Sequence, residues 1–249
     1  MMGEVLSNIT FTSGQKHFQA SLSLIDYIAE EINDVQTQHL HQQEMLYFSG
    51  LKFEKRKFEY LAGRLAAKGA VANLINEPER REILIVPGVF NQPVVKHLKY
   101  SNISVSITHS HGYAAAIAYQ EELLLGIDIE RIDLKQRGVL ESQCTVNEKK
   151  QCHESLLPYD FMLTLSWTVK ESLSKILKTG LSIPFQLLEI SQVCLKDRML
   201  VSSFKNFPQY CAISFYIKGF VCSIVYPKKL VFSGDSVFQE IVEEFSILN

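Results

Sequence analysis

Three short segments hold residues whose types and spacing can do chemistry. In Leu125-Gly126-Ile127-Asp128-Ile129-Glu130-Arg131, Asp128 and Glu130 stand two apart. On a β-strand this spacing sets both carboxylates on one face, about 7 Å apart along it, with Ile127 and Ile129 on the other face. Like charges placed so repel unless a cation or a base lies between them. Hard oxygen donors suit Mg²⁺ or Mn²⁺ rather than zinc. Taken alone, a solvated strand edge is the more ordinary account of the same alternation. In Ser166-Trp167-Thr168-Val169-Lys170-Glu171-Ser172-Leu173-Ser174-Lys175, Glu171 and Lys175 form an i, i+4 pair on one helix face, which an ordinary surface helix also carries. The third segment, Ser106-Ile107-Thr108-His109-Ser110, ends an alternating run on a histidine, the side chain that titrates near neutrality. His39 and His41 are two apart, so a helix separates them and a polar loop or helix surface is expected there rather than a metal site. No serine or cysteine nucleophile with a base and an orienter is recognisable, and no Gly-rich phosphate loop.

These residues need elements to position them. Phe53–Ile75 carries Phe58, Leu61, Leu65, Ala66, Val71 and Leu74 at 3–4 spacing, which predicts a long helix ended by Glu77-Pro78. Phe161–Leu177 predicts a second, stopped at Thr179-Gly180, with Trp167 expected in its core. Asn147–Leu157 reads as a shorter helix before Pro158, and Asp235–Leu248 as a final one. Ile103–Thr108 and Tyr113–Tyr119 around Gly112 read as a β-hairpin. Further strands are expected at Glu82–Val86, Leu123–Ile132, Leu187–Val193, Met199–Phe204, Tyr210–Ile217 and Phe220–Val225. Residues 1–35 suggest one early strand and a helical turn or two over Ser21–Glu31. The strand connections are mostly too short for parallel crossovers, so the pattern is α+β with antiparallel sheets. No low-complexity linker appears; the seam is expected near Gln120–Glu122, giving halves of 1–121 and 122–249.

Composition narrows the class. With 249 residues and 47% of them hydrophobic, the chain can bury a real core and is neither a disordered tail nor a disulfide mini-protein. The 25 Lys plus Arg against 27 Asp plus Glu leave a net charge of −2, so no nucleic-acid partner is expected. Five cysteines without metal-ligand spacing fit a reducing cytoplasm. Met1–Phe11 shows no basic run followed by an apolar block, so no secretory leader is expected, and no apolar stretch reaches membrane-spanning length.

Together, in this order, the segments resemble the 4′-phosphopantetheinyl transferase superfamily. The family pattern is Gly-Ile/Val-Asp followed by Trp-x-x-Lys-Glu-x-x-x-Lys; here Gly126-Ile127-Asp128 is followed by Trp167-x-x-Lys170-Glu171-x-x-x-Lys175, with 42 residues from Asp128 to Lys170. Thr108-His109-Ser110 is similar to the family's Ser-His-Ser. Gly180-Leu-Ser-Ile-Pro184 resembles its Gly-Leu-Ser-Leu-Pro, and Glu59-Tyr-Leu-Ala-Gly-Arg64 the corresponding stretch of the enterobactin-associated transferases. The resemblance spans residues 45–226 and is nearest to the long, Sfp-like group. Two positions depart from the pattern: Gln92 stands where a basic residue precedes proline, and Thr108 replaces a serine.

The resemblance implies two similar α+β halves with pseudo-twofold symmetry, each a long helix on a small antiparallel sheet, with coenzyme A in the cleft between them. It implies transfer of 4′-phosphopantetheine from coenzyme A to a serine of an apo acyl or peptidyl carrier protein, dependent on Mg²⁺ (or Mn²⁺), by a monomer. Asp128, Glu130 and Glu171 would be metal ligands; Glu171, Lys175 and Lys170 would be catalytic. Arg64, Thr108 and His109, with Asp128 and Lys175, would bind coenzyme A. A non-catalytic coenzyme A- or carrier-binding homologue and a metal-dependent phosphodiesterase are the alternatives.

Overall fold

The computed structural model describes residues 3–27, 37–196 and 198–242. It divides into two compact units: Met1–Leu123 with Val231–Phe238, and Leu124–Leu230 with Gln239–Asn249. Among the described residues no helix is long and apolar enough to cross a membrane.

The first unit opens with two long strands, β1 (Gly3–Ser13) and β2 (Lys16–Asp26), joined through Gly14 at a φ of 58° that glycine adopts without strain. Helices α1 (Gln42–Ser49) and α2 (Glu54–Ile75) follow, then strands β3 (Leu84–Pro87), β4 (Pro93–Lys96), β5 (Ile103–Ser110) and β6 (Tyr113–Gln120). Near the end of the chain β12 (Val231–Gly234) returns to pair with β1, giving a seven-stranded antiparallel sheet in the order β12-β1-β2-β6-β5-β4-β3. α2 lies on it, burying Leu61, Leu65, Ala66, Ala70 and Val71 against Ile25, Val105 and the alanines of β6.

The second unit runs β7 (Gly126–Arg131), α3 (Arg137–Ser142), α4 (Val146–Glu154), α5 (Tyr159–Leu177), then β8 (Ile190–Lys196), β9 (Met199–Phe204), β10 (Tyr210–Ile217) and β11 (Phe220–Pro227). Its sheet has the order β7-β11-β10-β9-β8, all antiparallel. α5 packs on it through Phe161, Leu165, Val169 and Leu173. A short helix, α6 (Ser236–Ile241), comes last; the rest of the expected C-terminal helix lies outside the described residues.

Each unit is therefore a long helix on an antiparallel sheet, as the resemblance implies. Among the described residues both share an order, β2, α1, α2 and β3–β6 in the first and β7, α4, α5 and β8–β11 in the second, with the last strand paired to the first; the second unit adds α3. The closing hairpins share a turn. His111-Gly112 has φ values of 45° and 90°, and Lys218-Gly219 has 45° and 88°, the double positive φ of a type I′ turn whose twist matches that of paired strands.

Two expectations fail locally, and one helix lies where no bounded element is expected. Ser21–Asp26 is strand, paired on one side to β1 and on the other to β6; the remainder of the expected helical segment, residues 28–31, lies outside the described residues. Gln42–Ser49 is a helix, one of the two surfaces expected near His39 and His41, capped by the His41 imidazole accepting from the Gln43 backbone N–H at 3.2 Å. Phe185–Leu188 is a 3₁₀ turn, so β8 starts only at Ile190.

Candidate functional site

Strand pairing places the acidic residues of β7. Asp128 sits directly across from Ser223 of β11, and Glu130 across from Val221; cross-strand partners share a face. The Ser223 hydroxyl meets Thr168 Oγ1 of α5 at 2.7 Å, so this face is turned to the helix. Asp128 is buried and Glu130 half-buried, while Ile127 and Ile129 fill the opposite face. α5 approaches closely because Gly126 lacks a Cβ: a methyl there would overlap the Ser172 carbonyl oxygen.

That approach brings Lys175 to Asp128. Lys175 Nζ donates to Asp128 Oδ1 at 2.9 Å and to the Ile127 carbonyl at 2.6 Å. One turn earlier on α5, Glu171 feels the same carboxylate. Burial pushes the Glu171 carboxyl above its usual range, and the negative charge of Asp128 adds to the rise, against the pull of Lys175. Asp128, Glu171 and Lys175 carry two negative charges and one positive, an excess that favours a cation. Among the described residues no three His, Cys, Asp or Glu stand together as a ready-made metal shell, so the structure couples Asp128 with Glu171 but does not gather Glu130 with them into one. Hard oxygens on two carboxylates fit Mg²⁺, which is commonly held by one or two carboxylates with water and phosphate completing the shell.

Lys170, expected to be catalytic, points elsewhere and does not join this group. Its side chain is buried, its Nζ donating to Glu148 Oε2 at 2.7 Å and to the Gln143 carbonyl at 2.8 Å. Glu148 is the third residue of α4, and its Oε2 also accepts from the backbone N–H of the cap residue Thr145 at 2.7 Å, while Oε1 accepts from Ile190 at 2.8 Å. An ammonium so enclosed ties α5 to α4 and the start of β8. Trp167 packs against Phe185 at the margin of the same core.

The remaining expected residues belong to the first unit. Arg64, on α2, and His109, on β5, line one pocket of about 780 Å³ together with Tyr47, Tyr60 and Glu44. The Arg64 guanidinium lies 4.5 Å over the Tyr60 ring. Thr108 does not line it. Alternation along β5 turns buried Thr108 to the sheet face opposite exposed His109, so these two expected coenzyme A residues do not share this pocket. Gln92 folds back on its own turn, its Oε1 accepting from the Phe90 N–H at 2.9 Å and its amide lying against Gly88. A larger groove of about 1050 Å³, near Lys16, Tyr100 and Glu121, contains none of the expected residues.

One feature of the first unit escapes a search for catalytic spacings. Glu44 and Lys68 form a second buried ion pair, 2.7 Å apart. The signal for both pairs lies in the sequence: a cap residue with glutamate three places on, at Thr145-x-x-Glu148 and His41-x-x-Glu44, then one lysine in the apolar stripe of the next long helix.

Two family models match the chain. Residues 52–119 match the 4′-phosphopantetheinyl transferase N-terminal domain, and residues 124–225 match the 4′-phosphopantetheinyl transferase superfamily. Enterobactin synthase component D of Salmonella typhimurium is 29% identical over 168 residues, covering 66% of this chain. Holo-[acyl-carrier-protein] synthase of Mycoplasma capricolum is 34% identical over 71 residues, covering 28% of this chain. The chain spans 64% of the length of each of these relatives. Among solved structures, a holo-(acyl-carrier-protein) synthase from Bacillus anthracis in complex with CoA (3′,5′-ADP) is 21% identical with a TM-score of 0.36, covering 47% of this chain and 97% of its own.

Proposed function

Because the chain belongs to the 4′-phosphopantetheinyl transferase superfamily, we propose that it transfers the 4′-phosphopantetheine arm of coenzyme A to a serine hydroxyl of an apo acyl or peptidyl carrier protein. The observation that carries this reading is the coupled pair Asp128 and Glu171 with Lys175 on Asp128. In the reaction the serine oxygen bonds to the β-phosphorus, the bond from that phosphorus to the bridging oxygen breaks, and adenosine 3′,5′-bisphosphate leaves.

Glu171 accepts the serine proton; a carboxylate whose pKa is raised by burial and by a neighbouring carboxylate takes a proton more readily than an ordinary one. Asp128 and Glu171, the two coupled carboxylates, would hold Mg²⁺, with Glu130 of the same strand the further ligand that the resemblance implies, and the ion would supply charge neutralisation at the pyrophosphate oxygens. Lys175 contributes a point charge beside Asp128 for the same oxygens. Arg64 and His109 bind the 3′-phosphate, where a guanidinium can make paired hydrogen bonds. Lys170 holds α5 in place. The free cysteines of the described residues fit the cytoplasm, and the chain acts as a monomer, with sedimentation of the active protein at 28.4 kDa as the expected result.

The test is incubation with coenzyme A, Mg²⁺ and a panel of apo carrier proteins, read by mass spectrometry. Addition of the phosphopantetheine mass to a carrier serine is the expected outcome. Binding of coenzyme A without transfer would instead mark a non-catalytic homologue, and cleavage of coenzyme A without carrier modification a phosphodiesterase.

A further inference from the structure

The glutamates of the two buried ion pairs are held alike, atom for atom. Glu44 is the third residue of α1; its Oε2 accepts from the His41 backbone N–H at 2.9 Å and meets Lys68 Nζ of α2 at 2.7 Å, while its Oε1 accepts from Ile85 N–H of β3 at 3.0 Å. Glu148 does the same with Thr145, Lys170 and Ile190. Aligning the two long helices on these lysines sets Gly69 at the place of Glu171 and Asn73 at the place of Lys175, so the first unit keeps the clamp without the acidic site. It sets Arg64 at the place of Ser166. Ser166 bonds back to the Met162 carbonyl of its own helix at 2.9 Å. Arg64 instead turns its Nε, buried and without a hydrogen-bond partner among the described residues, to within 3.6 Å of Glu44 Oε1.

The charges differ accordingly. Glu148 and Lys170 cancel. Glu44, Lys68 and Arg64 leave one positive charge, on the residue that lines the pocket with His109. We propose that Glu44 is a positioning residue for anion recognition: it pairs with the Nε edge of Arg64, whose guanidinium lies over the Tyr60 ring and bonds to that side chain, and so sets the outer end of the guanidinium toward a phosphate monoester on a nucleoside. This rests on Arg64 binding the 3′-phosphate of coenzyme A. A guanidinium fixed at one edge forms paired bonds to phosphate with less loss of side-chain freedom than an unrestrained one.

The experiment compares calorimetric affinities for coenzyme A and for dephospho-coenzyme A, which lacks only that phosphate. Wild type is expected to prefer coenzyme A about tenfold, the effect of one charge-assisted contact. Glu44→Gln with Lys68→Met removes one charge of each sign, so the net charge around Arg64 is unchanged; the preference should fall to about threefold or less, with dephospho-coenzyme A bound as before. The matched change in the second unit, Glu148→Gln with Lys170→Met, strips the twin clamp and should keep the wild-type ratio. A wild-type ratio in the first double variant, or equal loss in both, overturns the positioning role while leaving the phosphate contact standing. Absence of any preference in wild type overturns the phosphate contact and this inference with it. Should the first double variant not fold, Glu44→Asp keeps the charge and shortens the reach to Arg64; an intermediate ratio is expected, and a wild-type ratio overturns the proposal.

Discussion

Burial and the neighbouring Asp128 make the charged form of Glu171 costly in the metal-free protein. Its folded pKa stands above its unfolded one, so its contribution to stability is full below the ordinary glutamate range and lost as pH rises through the folded value. Glu171→Gln should therefore raise the melting temperature of the metal-free protein at neutral pH, leave it nearly unchanged near pH 4, and abolish transfer. Calorimetric scans at the two pH values check this; a lower melting temperature at neutral pH contradicts it. Asp128→Ala should cut turnover by about 100-fold or more, the scale of losing one preorganised electrostatic contact, and wild-type turnover at saturating Mg²⁺ and coenzyme A would remove Asp128 from the site. Gln92→Lys should leave the KM for coenzyme A unchanged, because the side chain serves its own turn; a lowered KM would show that a lysine there reaches the phosphates. Asp128, Glu171 and Lys175 are legible in the sequence because one strand spacing and one helix spacing aim them. The burial of Lys170 is not, because its partner Glu148 lies 22 residues earlier on another element and only the folded chain closes the pair.

At the scale of elements, the site depends on how closely α5 lies over β7 and β11. A buried hydroxyl chain, Thr168 to Ser223 to Ser214 with 2.7 Å steps, and the bond from Ser172 to the Ser223 carbonyl at 2.9 Å, tie helix to sheet beneath Asp128. Gly126→Ala should destabilise the fold by about 1–3 kcal/mol, the usual range for overpacking, and lower activity further than stability alone explains. Urea titration alongside turnover measures both, and full activity with wild-type stability would contradict the close approach. The long helices and the β5–β6 hairpin are legible because their apolar periods are strong. β2 is not: Ser21 and Ser23 are buried among Leu22 and Leu24 with both strand faces covered, so the alternation that marks a half-exposed strand is missing.

At the scale of the molecule, the chain leaves its first unit after Leu123 and returns to it at Val231. The returning segment is held by Asp235, which accepts from the Asn8 N–H at 2.7 Å, the Ser7 hydroxyl at 2.8 Å and the Phe238 N–H at 2.9 Å. Burial alone would raise its carboxyl; these bonds outweigh it and hold the pKa low, so their contribution is present above the ordinary aspartate range and lost as pH falls through the folded value. Truncation after Leu230 should bare the edge of β1, a template for strand pairing between chains. Light scattering should report self-association of the truncated chain, and a monodisperse monomer would contradict it. The order of manufacture follows from the same return. A ribosome delivers residues from the N-terminus at about 5–20 per second, so the inserted unit has all its strands in hand while the host sheet still waits for its last one. Of the two sheets, the one whose chain emerges first is the last to be completed.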